Sequence, residues 1–133
     1  MQVSPLITLD RILEIDPARG GRAYRNVPNT LSIFDTHFPR FPVLPGVLIL
    51  GSLGLLASLV LKERTGQVWR LAGAEQVRFR HFVQPGDQME LSVELKQFES
   101  QVATLSGSVR VDGQSMVTAR QLVLKVAAAS VQT

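Results

Sequence analysis

The longest apolar run of the chain lies near its middle. Val47, Leu48, Ile49, Leu50, Leu53, Leu55, Leu56, Leu59 and Val60 are separated only by Gly51, Ser52, Gly54, Ala57 and Ser58, and no residue between Arg40 and Lys62 is charged. Apolar positions all round the helical circle leave no face for water, so this segment predicts a helix wrapped by other structure. Pro45 suits its start, where a missing N–H costs nothing. Lys62-Glu63-Arg64 and then Gly66 close it. The period then changes. Val68 to Phe82 predicts a long strand bent near Gly73, and Gln84-Pro85-Gly86-Asp87 a turn. Met89 to Lys96 places Leu91, Val93 and Leu95 on one strand face, while Val102 to Val111 alternates less cleanly. Asp112-Gly113 signals a type I′ hairpin returning through Ser115 to Val126. Upstream, Leu9 to Asp16 predicts a short helix, with Asp10 as N-cap and Ile12, Leu13 and Ile15 on its apolar side. Pro17 stops it, Gly20-Gly21 turns the chain, and Arg22 to Val27 is a candidate strand. Short helix, strand, long buried helix and antiparallel meander make an α+β plan, and 133 residues fit one domain spanning 1–133.

Composition narrows the chemistry. The chain has no cysteine, which excludes disulfides, thiolate metal sites and a cysteine nucleophile and fits a cytoplasmic protein. Two histidines, His37 and His81, argue against a histidine metal site. The net charge of +3 comes from scattered Arg and Lys without aromatic interleaving, so no nucleic-acid partner is expected. A mildly positive surface suits an acidic protein partner instead. Met1 to Asp16 has neither the basic nor the apolar region of a signal peptide. The stretch from Val47 to Val60 is shorter than the roughly 20 residues a bilayer requires, and Pro42 and Pro45 interrupt the approach to it, so no membrane span is expected.

The chemistry concentrates in His37-Phe38-Pro39-Arg40-Phe41-Pro42-Val43-Leu44-Pro45-Gly46-Val47-Leu48-Ile49-Leu50. It sets a titratable imidazole on a proline-stiffened loop just ahead of a helix N-terminus. The first N–H groups of a helix lack intrahelical partners and carry partial positive charge. A thioester carbonyl placed there is polarised as enolate charge develops, and a nearby histidine can take the acidified α-proton near neutral pH. Asp35 precedes His37 by two residues and shares its face if the segment is extended. It is a candidate to orient the imidazole or to act as the acid, against the alternative of a solvated turn residue. His81 and Glu75 read as surface residues. Arg40, Arg78 and Arg80 are weak candidates for meeting an acidic partner or a phosphate.

This stretch resembles the HFPxxPVxPGVLIxE signature of the FabZ-type 3-hydroxyacyl-[acyl carrier protein] dehydratases and their FabA relatives. The likeness continues in Leu71-Ala72-Gly73-Ala74-Glu75-Gln76-Val77-Arg78-Phe79-Arg80, in Val83-Gln84-Pro85-Gly86-Asp87-Gln88-Met89, in Val111-Asp112-Gly113 and in Asp10-Arg11-Ile12-Leu13. It covers nearly the whole chain with order and spacing kept. The resemblance implies a hotdog fold, a curved antiparallel sheet wrapped around one long helix. It implies a hydro-lyase that removes water from a 3-hydroxyacyl thioester to give a trans-2-enoyl thioester in fatty-acid or polyketide-type biosynthesis, without metal or cofactor. It makes His37 the base, Val43 the carbonyl that fixes its tautomer, and Gly46 the N–H that binds the thioester oxygen. The substrate would be an acyl carrier protein or acyl-CoA thioester, and a homodimer or higher oligomer would complete each site.

The family places a carboxylate from the partner's helix fourteen residues after the histidine. That position here is Gly51, and the family's glutamine four residues later is Leu55. Glycine cannot protonate a departing hydroxyl. The next carboxylate, Glu63, lies about three turns further along. Two other readings therefore stand beside the dehydratase. One is a catalytically impaired subunit that pairs with a Glu-bearing homologue or binds acyl chains. The other is an acyl thioesterase, which would want an acid near the helix start that this sequence lacks.

Overall fold

The computed structural model describes residues 8–27 and 44–127. Among them are six strands and one helix: β1 (Arg11–Asp16), β2 (Gly20–Asn26), α1 (Gly46–Thr65), β3 (Trp69–Phe79), β4 (Gln88–Phe98), β5 (Val102–Val111) and β6 (Gln114–Val126). The strands form one antiparallel sheet in the order β1-β2-β4-β5-β6-β3, and α1 packs against all six. This is the hotdog arrangement.

By length and apolarity alone α1 would pass for a membrane span. The sheet makes it a core helix instead. Leu48, Ile49, Leu53, Leu56, Ala57, Val60 and Leu61 are buried with Leu91, Leu105, Val109, Val117, Leu122 and Leu124 from the inner sheet face. Glycine lets the helix lie close to the sheet at two points. A Cβ on Gly54 would sit 2.9 Å from the Leu71 side chain, and one on Gly46 would sit 2.7 Å from the Phe79 ring. Pro45 is the N-cap, one position earlier than the first-turn place expected for it. Gly66 closes the helix in the left-handed conformation with φ 76°, its N–H bonded to Lys62 O. Lys62 and Arg64 in the last turn suit the negative end of the helix.

One expectation fails. Leu9 to Asp16 is not a helix. Residues 11–16 form β1, paired with β2 from Arg11↔Tyr24 to Asp16↔Gly20. Ile12, Leu13 and Ile15 are compatible with either period over so short a run, and the ladder offered by β2 decides the matter. A register shift between Ile12 and Glu14 absorbs the imperfect alternation. Asp10 caps no helix; its carboxylate accepts the Asn26 N–H and ties the start of β1 to the end of β2.

The remaining elements follow the pattern. β3 shifts register between Leu71 and Gly73, at the expected bend. Asp112 and Gly113 both have positive φ, 50° and 80°, as a type I′ turn requires. β5 alternates cleanly, with Ala103, Leu105, Gly107, Val109 and Val111 buried against the helix side.

Candidate active site at the start of the central helix

The segment entering α1 is anchored before the helix begins. Leu44 N–H donates to Val83 O at 2.7 Å, and both residues are buried. Pro45 holds φ −59° and ψ 141°, and its carbonyl accepts from Leu48 N–H at 3.0 Å and Ile49 N–H at 3.3 Å. No side chain caps this end and the first turn contains no acidic residue. Among the described residues, Gly46 N–H and Val47 N–H have no acceptor. Among the described residues, two donors at the positive end of a twenty-residue helix are thus without an acceptor.

The surroundings are apolar. Val47 and Phe79, exposed at 72% and 52%, stand at this helix end, and Phe82, exposed at 64%, directly precedes the Val83 that anchors Leu44. The Phe79 ring lies against Gly46. A side chain at this position would push the ring aside, so glycine keeps the donor amide and the aromatic wall together.

Gly46 is the first residue of α1. Gly51 lies one turn further along, half-buried, with half-buried Leu55 another turn on. Val47, Gly51, Leu55 and Ser58 form an uncharged helical stripe left partly open by the sheet. His37, Asp35 and Val43 lie outside the described residues. His81 is exposed and its ring meets Gln114 Nε2 at 3.1 Å, and Glu75 is exposed, as expected of both.

Sequence reasoning passed over one polar group beneath this helix. Arg25 is 1% exposed, on the inner side of β2 between Ala23 and Val27. Its Nη1 donates to Ser52 Oγ at 2.8 Å, and Ser52 Oγ donates to Thr8 O at 3.3 Å. Its Nε is buried with no acceptor among the described residues. Burial lowers the pKa of Arg25, and the charge of Asp10 offsets part of that effect. Strict alternation of Gly21, Ala23, Arg25 and Val27 placed this arginine on the core face in advance; its charge argued against the pattern.

The described residues contain no cluster of His, Asp or Glu able to hold a metal. What the arrangement offers is hydrogen bonding to a carbonyl oxygen at the helix start, inside an apolar rim.

Comparison with known proteins agrees with that chemistry. A family model described as ApeI-like, ApeI dehydratase, matches residues 19–119. The 3-hydroxyacyl-[acyl-carrier-protein] dehydratase FabZ of Bacillus subtilis is 36% identical over 113 residues, 83% of this chain and 80% of that protein. FabZ of Dechloromonas aromatica is 36% identical over 127 residues, 91% of this chain and 88% of that protein. Among solved structures, the dehydratase heterocomplex ApeI:P from Xenorhabdus doucetiae superposes with a TM-score of 0.77 at 13% identity, covering 96% of this chain and 88% of that one. Protein smu.793 from Streptococcus mutans, bound to acetyl CoA, gives 0.70 at 11% identity over 88% of this chain and 87% of that one. These two structures share the fold; the sequence relatives and the family model carry the kinship, and the chain belongs to the FabZ and ApeI-like family of hotdog dehydratases.

Proposed function

We propose that this chain, as a single hotdog domain in the cytoplasm, dehydrates a 3-hydroxyacyl thioester carried by an acyl carrier protein. The observation that carries the reading is the pair of helix-start amides at Gly46 and Val47, without an acceptor among the described residues and beside an apolar rim, in a chain of this family. In the proposed reaction His37 takes a proton from C2. Charge moves onto the thioester oxygen, which the Gly46 N–H binds more tightly as it becomes an enolate. The enolate then re-forms the carbonyl, the C2–C3 double bond forms, and the C3–O bond breaks. The departing hydroxide takes one proton and leaves as water. Val43 is assigned the carbonyl that fixes the His37 tautomer, and Asp35 is kept as a candidate orienting or acidic group.

The source of that last proton is the open step. Gly51 supplies none, and α1 has no acid before Glu63, which is exposed. His37 can return the proton it took, alone or through water. A second protomer is the other source. The exposed edge strand β3 ends the sheet beside α1 and is the surface on which a second hotdog subunit would continue it. The ApeI:P structure is named as a dehydratase heterocomplex, and the lack of an acid at Gly51 favours a sister subunit that carries one. Thioester hydrolysis lacks support, since the first turn of α1 offers no acid to activate water.

The test is conversion of a 3-hydroxyacyl carrier-protein substrate to enoyl product. Measurable turnover abolished in His37→Ala is the expected result. Loss of general-acid help costs about 10²- to 10⁴-fold, so Gly51→Glu should recover part of that range. Equal inactivity of wild type, His37→Ala and a folded Gly51→Glu would end the dehydratase reading.

A further inference from the structure

The face of the sheet turned away from α1 has two electrostatic halves. Towards β1, Arg22 is shared between Glu14 at 3.5 Å and Glu90 at 3.4 Å, and Lys96 pairs with Glu94 at 2.7 Å. Towards β3 the pattern reverses. Arg78, Arg80 and Arg120 line one cleft of about 650 Å³ and, among the described residues, none of them has a carboxylate within ion-pair distance.

The ladder explains why they converge. Arg78 pairs across from Thr118, so Arg120, two residues further along β6, is its diagonal neighbour on the same face. Arg80 continues the same alternation past the end of β3, its N–H bonded to Met116 O. Gln76 has a left-handed φ of 52°, an uncommon conformation for a residue with a side chain, and it interrupts the ladder opposite Arg120. The side chains of Ser106 and Thr118 add hydroxyls to the cleft. Three like charges gathered in one concavity repel one another unless an anion joins them. Guanidinium groups present paired N–H donors that match the oxygens of a phosphate, and hydroxyls serve the remaining oxygens.

We propose that this cleft is a binding site for a phosphate-bearing small molecule, on the opposite face of the sheet from the helix and independent of the dehydratase reading. A concave, hydroxyl-bearing site with clustered arginines suits a compact polyanion better than the flat surface of an acidic protein.

The experiment is calorimetric titration of the full chain with inorganic pyrophosphate and, separately, adenosine 3′,5′-bisphosphate at low salt, alongside amide chemical-shift mapping. Pyrophosphate should saturate one site per chain and shift the Ser106 and Thr118 amides. Arg78→Gln and Arg120→Gln should each weaken it roughly tenfold, the scale of one charge-assisted hydrogen bond. The triple variant with Arg80→Gln should show no binding. A charge-matched control, Arg11→Gln with Arg19→Gln and Lys62→Gln, should leave the affinity unchanged. Tighter binding of the bisphosphate would support a nucleotide as the ligand, and equal binding would support recognition of the phosphate alone. The proposal is overturned if the control weakens binding as much as the cleft triple, if the shifts map elsewhere, or if citrate or a polyglutamate peptide binds as tightly as pyrophosphate. The last result would mark an acidic protein surface instead.

Discussion

Gly46 and Phe79 constrain one another. A methyl group on Gly46 would meet the Phe79 ring at 2.7 Å, closer than two carbon atoms tolerate, so either the ring or the first helical turn must move. Phe79 is half-exposed and can swing away, which implies a small effect on stability. An amide that binds developing oxyanion charge tolerates far less displacement, and loss of one such donor costs about 10²- to 10³-fold in kcat. Gly46→Ala should therefore lower kcat by an amount approaching that range with little change in Tm. Gly46→Ala combined with Phe79→Ala should recover part of the loss, because the space is returned. Additive damage in the double variant would show that the ring contact is not the constraint. The sequence motif placed Gly46 at the helix start, but nothing in it revealed the ring, since Phe79 reaches Gly46 through tertiary packing.

Arg25 poses a different residue-scale question. A buried guanidinium that, among the described residues, bonds to Ser52 and has no acceptor for its Nε is held at a cost in desolvation. Removing its partner should leave the charge stranded, so Ser52→Ala is expected to destabilise the fold by about 1.5–3 kcal/mol in urea unfolding. Adding Arg25→Met to Ser52→Ala should restore much of that stability, because an apolar chain of similar length needs no partner. If the double variant is less stable than Ser52→Ala alone, Arg25 contributes more than its visible bonds.

At the scale of elements, legibility tracked how strongly each segment was committed to one period. α1 was legible because the uncharged run from Val47 to Val60 is apolar all round and permits one solution, burial. β6 and the Asp112-Gly113 turn were legible because turn chemistry fixed the register. β1 was misread because six residues with three apolar side chains fit both periods, and the partner strand that decides lies outside the window. β5 looked irregular because Gly107 holds an inward position with no side chain to mark it. β3 is the element with most left unsatisfied. It is eleven residues long, lies at the sheet edge, and leaves Leu71, Ala74 and Val77 only partly covered. Long edges of this kind are templates for another strand unless charge protects them. Ala72 and Gly73 are exposed, and a Cβ on Gly73 meets nothing within 4 Å. Ala72→Lys with Gly73→Lys should leave the monomer fold intact while setting like charges against each other across a paired β3 edge. Sedimentation should then show the variant shifted to monomer relative to wild type. A variant that stays associated would place the interface elsewhere.

At the scale of the molecule, the proposed reading turns on Gly51, which the sequence resemblance sets where the family signature has an acid. The helix stripe of Val47, Gly51, Leu55 and Ser58 carries no charge, so on the proposed reading it would offer a second protomer no acid. Two copies together would hold two sets of bases and helix-start amides and no acid from either helix. Pairing with a homologue that retains the carboxylate changes the arithmetic: the homologue's helix supplies the proton, this chain supplies His37 and Gly46, and one complete site results. Activity should then depend on composition. Mixing this chain with a Glu-bearing relative inactivated at its own histidine should raise turnover well above that of either component alone, because only the mixed dimer holds both halves of one site. The rate should peak at equal proportions and vanish when His37→Ala replaces the wild-type chain. If the mixture is no faster than this chain alone although the two chains co-migrate as a dimer, the missing carboxylate is not what limits this protein, and the proton must reach the departing hydroxide through His37 itself or through water.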